Sequence, residues 1–174
     1  TETRGVTIPV LSPKFETNVP GIYVAGELGG MGLIKNALTQ GRQAVEAIQA
    51  SKRRGRGAVL DLVIVGAGPA GFAAAITATA AKLRFEAVEQ ESLGGCVFQY
   101  PRGKLVMTQP AELPLVGEIK LTSTSKEELL KFWQELEQKV GLKLRYHARV
   151  VPIEAPPAGS SLVRPPKGAH ETPN

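Results

Sequence analysis

The chain has 174 residues with 43% hydrophobic and 21% charged side chains, ordinary globular usage that excludes wholesale disorder and sets a prior of about one domain. Its one cysteine, Cys96, excludes an internal disulfide framework, a CxxC pair and a cysteine-rich zinc site, and two histidines, His147 and His170, argue against a histidine metal site. Four of the charges behind the net +5 sit in one run, KRRGRG, at Lys52, Arg53, Arg54 and Arg56; the remainder balances at 17 basic against 16 acidic residues. Such a run can be a nucleic-acid patch, but here it is glycine-interrupted between two periodic segments and reads as a solvated linker.

Along the chain, residues 1–19 are irregular. Residues 21–27 (GIYVAGE) form a short apolar, partly β-branched run ended by glycine, the pattern of a buried strand. A helix is predicted over 36–50, with Ala37, Leu38, Gly41, Ala44, Val45 and Ile48 forming its apolar stripe. Gly41 costs about 1 kcal/mol there against alanine, so it is expected to permit close packing. The basic linker covers 51–59. Residues 60–65 (LDLVIV) then read as a strand, 66–71 (GAGPAG) as a turn, 72–82 as an alanine-rich helix and 83–89 as a second strand.

Residues 92–122 are loop-rich. Ser125 and Glu128 then make a capping box, in which the serine hydroxyl and the glutamate each satisfy an otherwise orphaned backbone N–H. Leu129, Trp133, Leu136 and Val140 follow at helical spacing, with Gly141 closing the helix. Phe132 and Trp133 are expected in the core. Residues 142–153 are predicted as a strand holding His147 as a packed or edge residue, and 155–174, with its prolines, as a disordered tail. The longest uncharged stretch, 62–79, is broken by Gly66, Gly68, Pro69 and Gly71 and makes no membrane span.

The chemistry concentrates in 66–71. GxGxxG alone is weak, but this one follows a strand, opens a helix, and has Glu89 at the end of the next strand, 23 residues beyond Gly66. Gly66 allows the tight turn, Gly68 lets a pyrophosphate approach the backbone, and Gly71 lets helix and strand pack closely. The helix N-terminus that follows offers free N–H groups and partial positive charge to phosphate. Glu89 would accept hydrogen bonds from ribose hydroxyls and disfavour a 2′-phosphate. A tight turn with no ligand is the competing reading, and it leaves the placement of the acid unaccounted for.

Residues 17–27 (TNVPGIYVAGE) resemble the closing flavin motif of the thioredoxin-reductase-like flavoproteins. That resemblance implies that Gly26 and Glu27, where the family usually has Gly-Asp, hold the ribityl chain of FAD. It also implies that the helix start around Ala37 faces the flavin, where a helix N-terminus stabilises negative charge on the reduced ring. Residues 94–108 (GGCVFQYPRGKLVMT) are similar to the loop after the ribose strand in the bacillithiol-disulfide-reductase-like branch, which places Gly95 near the cofactor phosphates. Leu113, Pro114, Leu115 and the helix from Lys126 to Trp133 resemble it too. The resemblance covers roughly 15–50 and 58–154.

It implies an incomplete α/β, three-layer FAD/NAD(P)-binding (Rossmann-like) fold with a parallel sheet. The expected organisation is a closing FAD-motif segment (1–50), the linker (51–59), an FAD-binding half-domain (60–154) and the tail (155–174). Two departures stand out: the closing motif precedes the opening one, and no second GxGxxG exists. The economical explanation is a piece joining the end of one module to the start of another, with circular permutation as the alternative. The implied function is the FAD-binding part of a flavoprotein passing electrons from NAD(P)H to a disulfide or other acceptor, the nicotinamide cofactor belonging to the parent protein. A non-catalytic dinucleotide-binding fragment is the rival, and NAD in place of FAD at 66–71 stays open.

The cofactor residues expected are therefore Gly66, Gly68, Pro69, Ala70, Gly71, Glu89, Gly95, Gly26, Glu27 and Ala37, with no metal site and no nameable general acid, base or nucleophile. Cys96 is expected as a small buried residue beside the cofactor loop. Expected partners are FAD and the remainder of the parent flavoprotein, not a membrane or nucleic acid, with a homodimer left open and a cytoplasmic setting expected. Strands 60–65, 83–89 and 143–151 should form a parallel sheet with 83–89 in the middle. To cover the apolar edge of 60–65, segment 22–26 is expected to pair parallel to it, bringing Glu27 to the glycine loop.

Overall fold

Alanine-rich and β-branched runs separate cleanly into helix and strand in the computed structural model, which describes residues 9–29, 33–52, 55, 57–107, 109–120 and 122–153. Part of the linker and all of the expected tail lie outside these residues. Three helices are described: α1 (Ile34–Ala50), α2 (Pro69–Ala80) and α3 (Lys126–Val140). The central sheet is built from β1 (Leu62–Val65), β2 (Phe85–Val88) and β7 (Leu144–Arg145), parallel and in the order β1-β2-β7. The expected middle position of the second strand holds.

The α3 start has the expected capping box. Ser125 accepts from the Glu128 N–H at 3.2 Å, Glu128 accepts from the Ser125 N–H at 2.9 Å, and Gly141 ends the helix at φ 70°. Its buried face, Leu129, Trp133 and Leu136, packs toward Phe72 and Ile76 of α2, with the Phe72 and Trp133 rings 5.9 Å apart. Phe132 is half-buried against the same cluster. Between β2 and α3 lie two antiparallel pairs, β3 (Leu105–Met107) with β6 (Ser123–Ser125) and β4 (Ala111–Leu113) with β5 (Gly117–Ile119). Three-residue strands carry too little alternation to be legible in a sequence. They are held by burial of Val106, Leu113 and Ile119 in the α2–α3 core.

A second core joins Val45 of α1, Ile64 of β1, Ala75 and Ala78 of α2, and Ala87 of β2. Helix α2 therefore covers one face of the sheet. The other face carries Val63 and Val65, 56% and 58% exposed, so two of the three expected layers are described.

Three expectations fail. Residues 21–27 form no strand and do not pair with β1. They run beside 12–17, with Val24 N–H donating to Phe15 O at 3.0 Å, Thr17 N–H to Ile22 O at 2.8 Å, and the Gly21 N–H to Glu16 Oε1 at 2.9 Å. These local bonds satisfy backbone that would otherwise seek a sheet. The expected strand over 142–153 shrinks to Leu144–Arg145, because the chain turns at His147 (φ 55°) and Ala148 N–H returns to Glu89 O at 2.9 Å. His147 is accordingly exposed and outside the strand.

Candidate dinucleotide-binding site

Each glycine of the 66–71 turn has a distinct mechanical reason. Gly66 adopts φ 97°, where a side chain would be strained. A Cβ at Gly71 would stand 1.8 Å from the Gly66 carbonyl oxygen, so α2 can seat on the turn only through a bare α-carbon. Gly68 is extended, and a Cβ there would meet nothing nearer than Gly94 O at 3.8 Å. Folding does not require glycine at 68, which leaves open approach to the backbone as the reason for it.

The turn opens on a cleft of about 170 Å³ lined by Gly66, Gly68, Pro69, Ala70 and Gly71 from one side and by Gly26, Glu27, Leu33, Ile34 and Ala37 from the other. Cys96, Val97 and Tyr100 close its third side. Eight of the ten residues expected from sequence are thus gathered on one cleft, although they come from two separate segments, 26–37 and 66–71. Sequence reasoning missed Leu33 and Ile34. Their only signal was position, directly ahead of the α1 stripe.

Two helices begin at this cleft. Their N-cap residues, Leu33 for α1 and Gly68 for α2, have side chains that cannot accept a hydrogen bond, and neither first turn contains an acid. Helix α3, away from the cleft, has its full capping box and two acids in its first turn. Both helix starts at the cleft therefore keep orphaned N–H groups and positive dipole ends turned toward one space, an arrangement suited to a phosphate or another anion.

The helices are locked together. A Cβ at Gly41 of α1 would lie 2.0 Å from Ala70 O of α2, which bears out the expected close packing. Gly26, at φ 94°, would bring a Cβ to 3.0 Å from the Ala70 side chain, and its N–H donates to Gln40 Oε1 of α1 at 2.8 Å. Ala37 is 7% exposed, packed beneath this junction.

Glu89 and Gly95 do not line the cleft. Glu89 is 6% exposed and ties two turns together, Oε2 accepting from Ala67 N–H at 2.7 Å and Oε1 from Glu91 N–H at 2.9 Å. Gly95 lies against the turn itself, where a Cβ would come within 3.1 Å of Gly68 Cα, while Gly94 N–H bonds Ala67 O at 2.9 Å. The two glycine-rich loops thus support one another.

Cys96 corrects the sequence reading: it is exposed, because in the single 3₁₀ turn Gly95–Val97 it is Val97 that takes the buried side, at 1% exposure. Its thiol donates to Glu27 Oε2 at 3.4 Å. Partial burial first, then the hydrogen bond and negative charge of Glu27, push the thiol pKa up, so this sulfur is held protonated and not as a nucleophilic thiolate. Tyr100 is raised as well, by burial and then by the neighbouring Cys96 and Glu27. Among the described residues no three metal-ligating side chains cluster, and no helix is long and apolar enough to cross a membrane.

Residues 64–136 match the family model described as NAD(P)-binding Rossmann-like domain. That span runs from β1 through the glycine turn and both small β pairs into α3. No curated protein matches the chain. Among solved structures it is similar to bacillithiol disulfide reductase Bdr (YpdA) from Staphylococcus aureus, with 18% identity and a TM-score of 0.43. The similarity covers 49% of this chain and 27% of that one, so this chain spans little more than a quarter of that protein's length. The matched portion here is a Rossmann-like, dinucleotide-binding unit.

Proposed function

We propose that this chain binds FAD as part of a pyridine-nucleotide-dependent flavoprotein oxidoreductase of the thioredoxin-reductase-like class. The observation that supports it most is the convergence of two uncapped helix starts, at Leu33 and Gly68, on one cleft. A single Rossmann turn offers one such site; a flavin dinucleotide has both a pyrophosphate and a ring that gains negative charge on reduction.

The residues fit the group. The 66–71 turn would take the pyrophosphate on the free N–H groups of α2, helped by Gly95 pressed against Gly68. Glu89 spends one lone pair of each oxygen on backbone, so each retains acceptor capacity for ribose hydroxyls. Gly26 and Glu27 would carry the ribityl end, and the α1 start above Ala37 would face the ring. At about 170 Å³ the cleft is smaller than the roughly 300–1,000 Å³ of enclosed ligand sites, so it would hold the middle of an extended dinucleotide with both ends on open surface. The flavin, when bound, supplies the electron transfer; the protein supplies position and electrostatics.

The test is reconstitution. The purified chain is mixed with FAD, with NAD and with AMP, freed of excess ligand, and its visible absorbance recorded. Retained flavin absorbance with a shifted band supports the proposal. A folded chain that stays colourless while binding NAD in calorimetry assigns the turn to a nicotinamide cofactor instead.

A further inference from the structure

The joint between α1 and β1, expected as a solvated linker, is bound down at its described glycines. Gly55 N–H donates to Asp61 Oδ1 at 2.8 Å, and the Arg84 guanidinium donates to the carbonyl oxygens of Gly55 and Gly57. Asp61, its side chain 3% exposed, also accepts from Arg84 N–H through Oδ2 at 2.8 Å and pairs with the guanidinium at 3.6 Å. A Cβ at Gly55 would stand 2.1 Å from Val59 O, so only a bare α-carbon seats there. Asp61 and Arg84 immediately precede β1 and β2, which puts this clasp at the start of the sheet, the opposite end from the glycine turn.

Helix α1 runs from the cleft to this clasp. Its start, at Leu33 and Ile34, lines the cleft. Its end is closed by Ser51 N–H and Lys52 N–H returning to Ala47 O and Gln49 O, and Gly55 follows three residues after Lys52. Between the two ends Gly41 rests on the Ala70 backbone of α2, with no room for a Cβ. At about 1.5 Å of rise per residue, that crossing lies about 10 Å from the start of α1 and about 14 Å from its end. A stiff helix on a backbone fulcrum is a lever, so displacement of the 50–52 end returns at the 33–34 end in the opposite direction.

We propose that Asp61 and Arg84 are positioning residues for the cleft, acting through α1. By clasping Gly55 and Gly57 to the start of the sheet they hold the far end of the helix. Its near end then stays aimed at the same space as the start of α2. The consequence for the cofactor rests on the FAD reading above. FAD would use both helix starts, whereas ADP would use the glycine turn of α2 alone, so loosening the clasp separates the two ligands.

The test compares the full chain with Arg84→Gln, which removes the guanidinium from an exposed position, and with Asp61→Asn, which keeps the side-chain volume. Spin labels at Asn36→Cys and Arg102→Cys, in a Cys96→Ser background, report the distance between the α1 start and the loop beside the cleft. Calorimetry on the unlabelled chains measures FAD and ADP. The parent should give one narrow distance distribution, and each variant a displaced and broadened one. FAD affinity should fall at least tenfold in the variants while ADP affinity stays within about twofold. An unmoved distribution in a folded variant overturns the proposal. So does an equal loss of FAD and ADP affinity, or loss of the parent circular dichroism in both variants, either of which assigns the pair to stability alone. A parent that binds ADP but no FAD fails the cofactor reading instead, and the label distance then decides the lever by itself.

Discussion

Gly41 and Ala70 are the point at which the two halves of the candidate site become one object: a Cβ at 41 would stand 2.0 Å from the carbonyl oxygen of residue 70. Ala70 is also the second residue of α2 and touches the Gly26 region, so the glycine turn and the 26–27 motif are positioned through this one crossing. Its backbone cannot retreat, because Gly71 beside it is itself seated on Gly66 O.

Gly41→Ala should therefore destabilise the chain. Alanine in a helix interior gains about 1 kcal/mol in propensity over glycine, whereas overpacking against rigid backbone costs about 1–3 kcal/mol and here meets a carbonyl. A lower urea midpoint with an unchanged slope is expected. An equal or higher midpoint would show that α1 can slide on α2 freely.

Gly68 and Gly71 should separate binding from folding. Gly68→Val should keep the circular dichroism of the parent and lose FAD binding, since its position is extended and uncrowded in the protein but faces the cleft. Gly71→Val should unfold the β1–α2 unit, with a Cβ 1.8 Å from Gly66 O. Undiminished FAD affinity in folded Gly68→Val would remove the pyrophosphate from this turn.

Glu27 should control the Cys96 thiol. Because Glu27 raises the thiol pKa through both its hydrogen bond and its charge, Glu27→Gln lowers it and enlarges the thiolate fraction at any pH below the pKa. Iodoacetamide alkylation at pH 8 should speed up several-fold, and the midpoint of its pH profile should move down. An unmoved midpoint would mean the two side chains do not meet in solution.

The α3 cap predicts an acid-side effect. Hydrogen bonds from Ser125 N–H, then from the Ser125 and Thr124 hydroxyls, hold the Glu128 pKa below the usual glutamate value. A depressed folded pKa means this contribution is present above the unfolded pKa and lost as pH falls through the folded one. Glu128→Gln should flatten the stability profile in that acidic window, and Ser125→Ala should cost about 1 kcal/mol near neutrality. Identical acid limbs for Glu128→Gln and the parent would contradict the capping geometry.

The chain loaded with FAD should oxidise NADH or NADPH no faster than free FAD does. It has one GxGxxG and hence one Rossmann turn, and holding hydride donor and acceptor in reacting geometry is worth about 7–11 kcal/mol of a barrier. Steady turnover at a rate well above free FAD would locate a second nucleotide site in these 174 residues.

What the sequence determined by itself was whatever a few neighbouring residues decide. The capping box of Ser125 and Glu128, the positive φ at Gly66, the helix stripes and the strand preference of LVIV are local, set by hydrogen bonds and torsions within one or two turns. The tertiary structure alone decided matters in which distant backbones compete. Residues 21–25 had the composition of a strand but satisfied their backbone against 12–17, so that among the described residues β1 pairs with β2 alone. Cys96 was placed by Val97 claiming the buried side of a single turn, and β3 to β6 formed because Val106, Leu113 and Ile119 found a core that α2 and α3 had built. Glu89, legible as an acid at the right spacing, turned out to brace the glycine loop through Ala67, since a carboxylate buried to 6% exposure must find donors and the nearest were backbone N–H groups.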